Sequence, residues 1–199
     1  MTEQTSYLDA DGVYWILDPA QIACLASPRR HDIIDRLVAS GPLSIKALAA
    51  IIGAEPPALY HHIKKLLAVG LVVEAGSRVV RRKREQLYAA AGRRMRLSRA
   101  LDDPRNRDLF VQVAASLCRQ MDRDFRRGSM SSATVTHGDG KNLGVSRLIG
   151  SPGPEGMAAI NKKLHEICEI LWDSANGTGE LVCLSWVIAP IERTEEVED

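Results

Sequence analysis

Ser44-Ile45-Lys46-Ala47-Leu48-Ala49-Ala50-Ile51-Ile52-Gly53-Ala54-Glu55-Pro56-Pro57-Ala58-Leu59-Tyr60-His61-His62-Ile63-Lys64-Lys65-Leu66-Leu67-Ala68-Val69 is the stretch that decides the fold. Ser44 reads as the N-cap of a compact helix over IKALAAII, and Gly53 ends it, because glycine takes the left-handed conformation of a helix exit at no steric cost. Pro57 then opens a second helix that runs to Val69, since the first-turn amide has no intrahelical partner for proline to remove. Leu59, Ile63, Leu66 and Leu67 fall on one side of it and predict a buried stripe, and Gly70 stops it. Two helices joined by a tight turn is the expected unit.

Working outward, Asp18-Pro19 and Ser27-Pro28 each read as N-cap and first helical residue. They predict a short helix over residues 20–26 and a longer one to about Ser40, with Ile33, Ile34, Leu37 and Val38 on one face and Gly41-Pro42 as the stop. Residues 1–18 are a polar and aromatic lead-in containing Tyr7, Tyr14 and Trp15. On the other side, LVVEAGSRVVRRKREQLYAAA at 71–91 predicts a hairpin of two β-prone runs around a Gly76-Ser77 turn. From Gly76 to Arg99 there are 9 basic residues and a single acid, Glu85.

The whole chain has 199 residues and a formal net charge of +1, which by itself names no partner. Its distribution is more informative: the first hundred residues carry 15 Lys+Arg against 9 Asp+Glu, and the remainder carries 11 against 16. The basic half is the candidate for a polyanion. Hydrophobic residues at 45% and charged residues at 26% are ordinary globular usage, enough for a core without metal or disulfide. Cys24, Cys118, Cys168 and Cys183 are scattered and form no CxxC pair, so they are expected as buried small hydrophobes. The apolar runs are too short for a membrane span and the start lacks a signal-peptide pattern, so a cytoplasmic protein is expected.

Beyond Asp102-Asp103-Pro104, residues 105–127 predict a long amphipathic helix with Phe110, Val113, Leu117, Met121 and Phe125 along one side. Strands are expected at 133–136, 143–149 and 181–189. A helix opened by Pro154 would place Met157, Ile160, Leu164, Ile167 and Leu171 in a heptad-like row. The fold class is therefore mainly α with small β, an α+β chain. Its expected divisions are the lead-in 1–18, a winged helix-turn-helix at 19–100, an α+β dimerisation or effector-binding region at 101–190, and an acidic tail at 191–199.

A helix set in the major groove needs a rigid partner helix, small or polar groups on its outer face, an apolar inner face, and cations near the phosphates. Ala58, Tyr60, His61, Lys64 and Lys65 supply the outer face, with Ser44 and Lys46 on the preceding helix. Arg78, Arg81, Arg82, Lys83 and Arg84 of the hairpin supply phosphate contacts. The run Leu59-Tyr60-His61-His62-Ile63-Lys64-Lys65-Leu66, followed by Gly70-Leu71-Val72, resembles the ArsR-type winged-helix regulators. Ser27-Pro28-Arg29-Arg30-His31-Asp32-Ile33-Ile34 is similar to the start of that family's second helix. The resemblance covers about residues 19–92 and implies a homodimer on a palindromic operator. Two departures limit it: the cysteines of the metal-sensing members are missing from Ile45-Lys46-Ala47-Leu48-Ala49-Ala50-Ile51-Ile52, and Pro56-Pro57-Ala58 replaces the polar residues usual at that helix start.

The remaining motifs predict no chemistry. Adjacent His61 and His62 diverge by about 100° on a helix and do not share an ion. His165-Glu166-Ile167-Cys168-Glu169 lacks the second histidine of a zinc-protease helix, and Gly138-Asp139-Gly140-Lys141 lacks the spacing of a phosphate loop. No cofactor, no metal and no catalytic set is expected, and the chain is not expected to be an enzyme. The expected partners are double-stranded DNA, a second copy of the chain and a small-molecule effector, with no membrane. Met157, Trp172 and Trp186 are candidates to line the effector pocket. The competing expectations are a winged helix used for protein contact without sequence-specific DNA binding, and a small enzyme carrying an appended winged helix.

Overall fold

A computed structural model of the chain describes residues 6–192. Asp18 accepts a 2.7 Å hydrogen bond from the Ala20 amide and starts α1 (Pro19–Leu25). Pro28 opens α2 (Pro28–Ser40), although the Ser27 side chain makes no capping bond, and Gly41 leaves it at φ 71°. Ser44 Oγ accepts from the Ala47 amide at 3.3 Å to start α3 (Ile45–Ile52), and Gly53 closes it in the left-handed conformation at φ 71°. The next helix, α4 (Pro56–Ala68), begins and ends one residue earlier than expected. Ile22, Ile33, Leu37, Leu48, Ile52, Leu59, Ile63 and Leu66 are each at most 2% exposed and form the shared core of these helices. Burying each such side chain stabilises the fold by about 1.5–3 kcal/mol before the entropy of ordering is counted.

The residues expected as a lead-in join this body. In one sheet β1 (Tyr7–Leu8) pairs antiparallel with β2 (Val13–Trp15), and β2 pairs in parallel with Arg94–Arg96. Trp15 is 6% exposed and its Nε1 donates to Asp9 at 2.6 Å, while Val13, Ile16 and Leu17 are buried beside it. The segment before residue 19 therefore seals the helical core from one side.

The second sheet carries the hairpin. With β3 (Leu43–Ser44), β4 (Val72–Val80) and β5 (Lys83–Ala90), its order is β3-β5-β4, all antiparallel. The Gly76-Ser77 pair is not the turn. The register shifts between Glu74 and Ser77, and Gly76 at φ 83° accommodates a bulge in the middle of β4. The chain reverses at Arg81 and Arg82, between the paired residues Val80 and Lys83. Their φ angles are 48° and 63°, the positive values that a two-residue turn between twisted strands requires. Arg94–Arg96 follows as β6.

From Pro104 a short 3-10 turn leads into α5 (Arg107–Ser129), which packs on α1 and α2. Asn106, 1% exposed, donates from Nδ2 to the Ala100 carbonyl at 3.0 Å and fixes this junction. Of the expected stripe, Val113 is buried, Phe110 and Leu117 pack on the core, and Phe125 is 40% exposed. The strands expected at 133–136, 143–149 and 181–189 do not form, and among the described residues no strand follows Arg96. Their β-prone side chains pair with no strand of either sheet, and a strand alone gains neither ladder bonds nor a covered face: Val145 is 85% exposed and Leu148 90%. The small α+β unit expected over 131–189 is instead one helix, α6 (Pro154–Asp173), flanked by irregular chain. The cysteines also depart from expectation: Cys24 is buried and Cys168 half-buried, but Cys118 and Cys183 are exposed, and all are free thiols. The acidic tail beyond Glu192 lies outside the described residues.

A side chain at positive φ crowds its own carbonyl, which glycine avoids. Arg82→Gly is expected to raise the unfolding free energy by roughly 1 kcal/mol, measured by urea denaturation. A loss of stability on this change would show that the side chain supports the turn.

Candidate nucleic-acid interface

The inward stripe of α4 fixes what its outward face presents. Leu59, Ile63 and Leu66 are at most 2% exposed, so the helix is clamped through one side. Ala58, Tyr60, His61, Lys64 and Lys65 are exposed on the rest of its circumference, Tyr60 by 60%. Lys46 is exposed on α3. The α3 to α4 junction is short and fully bonded: the Ala54 amide donates to Ala49 at 2.9 Å and the Ala58 amide to Glu55 at 3.0 Å. These bonds close the end of α3 and the start of α4, and the packing of the two helices sets the angle between them.

Ser44 does not belong to this surface. It is 3% exposed, and its hydroxyl caps α3 and accepts from Arg78 Nη2 at 3.5 Å. Arg78 is likewise occupied, donating to Glu85 at 3.2 and 3.3 Å from the directly opposite position in the hairpin. Hydrogen bonds from Ser44 first, and then from Arg78, hold the Glu85 carboxyl below the usual carboxylate range. Arg84 donates to Ser77 Oγ at 2.7 Å across the strands. Arg81, Arg82 and Lys83 at the hairpin tip are exposed, and among the described residues they make no ion pair, nor do Lys46, Lys64 and Lys65. Uncompensated cations thus stand at the hairpin tip and on the outer face of α4.

Sequence reasoning left out the cations at the start of α2. Arg30 Nε donates to the Cys24 carbonyl, and Arg29 and Arg30 stand close enough to act on the His62 ring. His62 is half-buried and its Nδ1 has no hydrogen-bond partner among the described residues. Burial, and then the charges of Arg30, His61, Arg29 and Lys65, push its pKa below the usual histidine value. The signal was present in Ser27-Pro28-Arg29-Arg30, where a helix start is followed at once by two arginines.

The residues expected to line an effector pocket do not come together. Met157 and Trp172 lie near opposite ends of α6, about 22 Å apart at a rise of 1.5 Å per residue. Trp186 is 47% exposed in the irregular segment after α6. Trp172 packs elsewhere: the guanidinium groups of Arg96 and Arg94 lie 4.9 and 5.7 Å from its ring centre. Arg94 also pairs with Glu169 at 2.9 Å and Asp173 at 3.1 Å, and Arg96 Nη2 meets His165 Nδ1 at 2.6 Å. The C-terminal end of α6 is thereby pinned to β6. Among the described residues no group of three His, Cys, Asp or Glu side chains has the arrangement of a metal site, and no helix is long and apolar enough to cross a membrane.

The His62 environment has a pH consequence. Its folded pKa is depressed, so the unfolded chain takes up the proton first as pH falls through the ordinary value of 6.5. The full contribution to stability is present above that pH and is lost progressively below it. Melting temperatures from pH 7.5 down to 5.5 should fall more steeply for the wild type than for His62→Asn; parallel curves would show that His62 does not titrate with unfolding. A family model described as a helix-turn-helix domain matches residues 25–75, and no curated protein matches the chain. The matched stretch runs from the end of α1 to the start of β4, so its helices are those whose outward face has just been described. The chain carries a helix-turn-helix domain in an α+β fold, which supports a DNA-binding regulator.

Proposed function

We propose that the chain is a winged-helix transcriptional repressor of ArsR-like type that binds a palindromic operator as a homodimer in the cytoplasm. Residues 19–100 act as the DNA-binding unit, with the parallel strand at 13–15 as its support, and residues 101–190 carry dimerisation and effector response. The observation that carries the reading is the pairing of a clamped helix, whose outer face offers Tyr60, His61 and Lys64, with a hairpin tip of unpaired Arg81, Arg82 and Lys83. In this reading α4 lies in the major groove and the hairpin, as the wing, follows the backbone toward the adjoining minor groove. Pro56, Pro57 and Ala58 leave the leading turn of α4 poor in donors, so phosphate contacts supply much of the affinity and few base edges are read directly. Arg78 and Arg84, engaged within the hairpin, order the wing for this contact.

Affinity for DNA fragments from the chain's own upstream region, measured by anisotropy over a range of salt concentrations, tests this. Lys64→Ala and Arg82→Ala are each expected to weaken binding and to lower the slope of log K against log salt by about 0.9 per phosphate contact removed. Arg78→Ala should weaken binding through loss of hairpin order, with a fall in melting temperature that the Arg82 change does not share. Salt-dependent binding untouched by the Lys64 and Arg82 changes would exclude this surface. An absence of salt-dependent binding altogether would exclude the reading.

A further inference from the structure

While α3 and α4 cover part of α2, another side of it borders a cavity of about 120 Å³ shared with β6 and the end of α6. Ile34 and Val38 from α2, with Met95 and Leu97 from and just after β6, make its apolar walls. His31 and Asp35, one helical turn apart on α2, bring in polar groups, and Trp172 of α6 lies across it. His31 Nδ1 is buried and has no hydrogen-bond partner among the described residues. Asp35 is exposed and, within the same bounds, forms no ion pair. A buried ring nitrogen left unpaired is costly, and it points to a group that enters from outside.

We propose that this cavity is the effector site and that it takes a neutral, single-ring aromatic molecule bearing a hydroxyl group, a phenol. The inference rests on reading the chain as an effector-responsive regulator. Size sets an upper bound: an apolar cavity of roughly 150 Å³ holds one benzene, so one of about 120 Å³ has room for no more than a single ring. The polar groups set the chemistry. A carboxylate only accepts and an imidazole nitrogen is able to accept, so the ligand supplies a donor. Asp35 repels a carboxylate ligand, while the nearby Arg94, Arg96 and Arg36 are each met by a carboxylate of the chain and do not select the ligand's charge. A hydroxyl supplies that donor without bringing a negative charge, and the ring stacks against Trp172. Occupancy would join α2, which supports the helix-turn-helix, to an α6 already pinned to β6, so one ligand touches both halves of the chain.

Calorimetric titration of the full chain with phenol, anisole and benzoate, without DNA, tests the site. Phenol is expected to bind once per chain and at least tenfold more tightly than anisole, which keeps the ring and loses the donor, with benzoate weaker still. His31→Leu should bring phenol and anisole to similar affinity. Val38→Phe, which fills the cavity, should abolish phenol binding while the melting temperature stays within a few degrees of wild type. Equal affinity for phenol and anisole in the wild type, preference for benzoate, no phenol binding, or undiminished binding to a folded Val38→Phe chain would each overturn the proposal. DNA affinity measured separately keeps the two readings apart: a chain that binds DNA but not phenol loses only the effector site, and one that binds phenol but not DNA keeps the cavity and loses the regulator.

Discussion

The Ser44 hydroxyl holds together the parts on which the candidate interface depends. It caps α3, accepts from Arg78 in β4 and is bonded to Glu85 in β5, while the Ser44 backbone pairs with Leu87 in the same strand. One buried side chain therefore sets the start of α3 against the outer half of the hairpin. α4 packs on α3, and its buried inner stripe fixes which face it turns outward. This polar node and the packing of α4 on α3 and β4 together relate the exposed cations at the hairpin tip to those on α4.

Much of this was legible in the residues. Proline at first helical positions, a glycine at the α3 exit and the spacing of Leu59, Ile63 and Leu66 placed the helices to within a residue, because capping and a 3.6-residue period act locally. Ser44 itself was only half read: its capping role is a local signal, but its burial under the hairpin is a long-range fact. The hairpin turn was misplaced for a similar reason. Gly76-Ser77 has the vocabulary of a turn and Arg81-Arg82 does not, yet strand register, which the partner decides, put the bulge at the glycine and the reversal at the arginines.

The C-terminal half was the least legible. Runs such as 143–149 and 181–189 carry β-prone residues, but that preference measures fit to a sheet surface, and these runs join neither sheet. α6 was readable as a helix because its period is internal. Its placement was not, since that depends on Arg94 and Arg96 meeting Glu169, Asp173 and Trp172 across a long stretch of chain. The effector candidates failed on the same ground: Trp172 does line a cavity, but its companions are His31 and Asp35 of α2 rather than Met157 and Trp186.

The parallel pairing of β2 with β6 bears on how the chain is made. Val13 meets Arg94 and Trp15 meets Arg96, so β2 finds its parallel partner only some eighty residues further along the chain. Until that pairing forms Trp15, Ile16 and Leu17 have no final cover on that side, and the helices assemble around an open flank. Closure over that distance carries a loop entropy that local helix formation does not, and the sheet has to offset it. A fragment beginning at residue 19 would retain every residue of the helix-turn-helix and still lack the strand against which β6 closes.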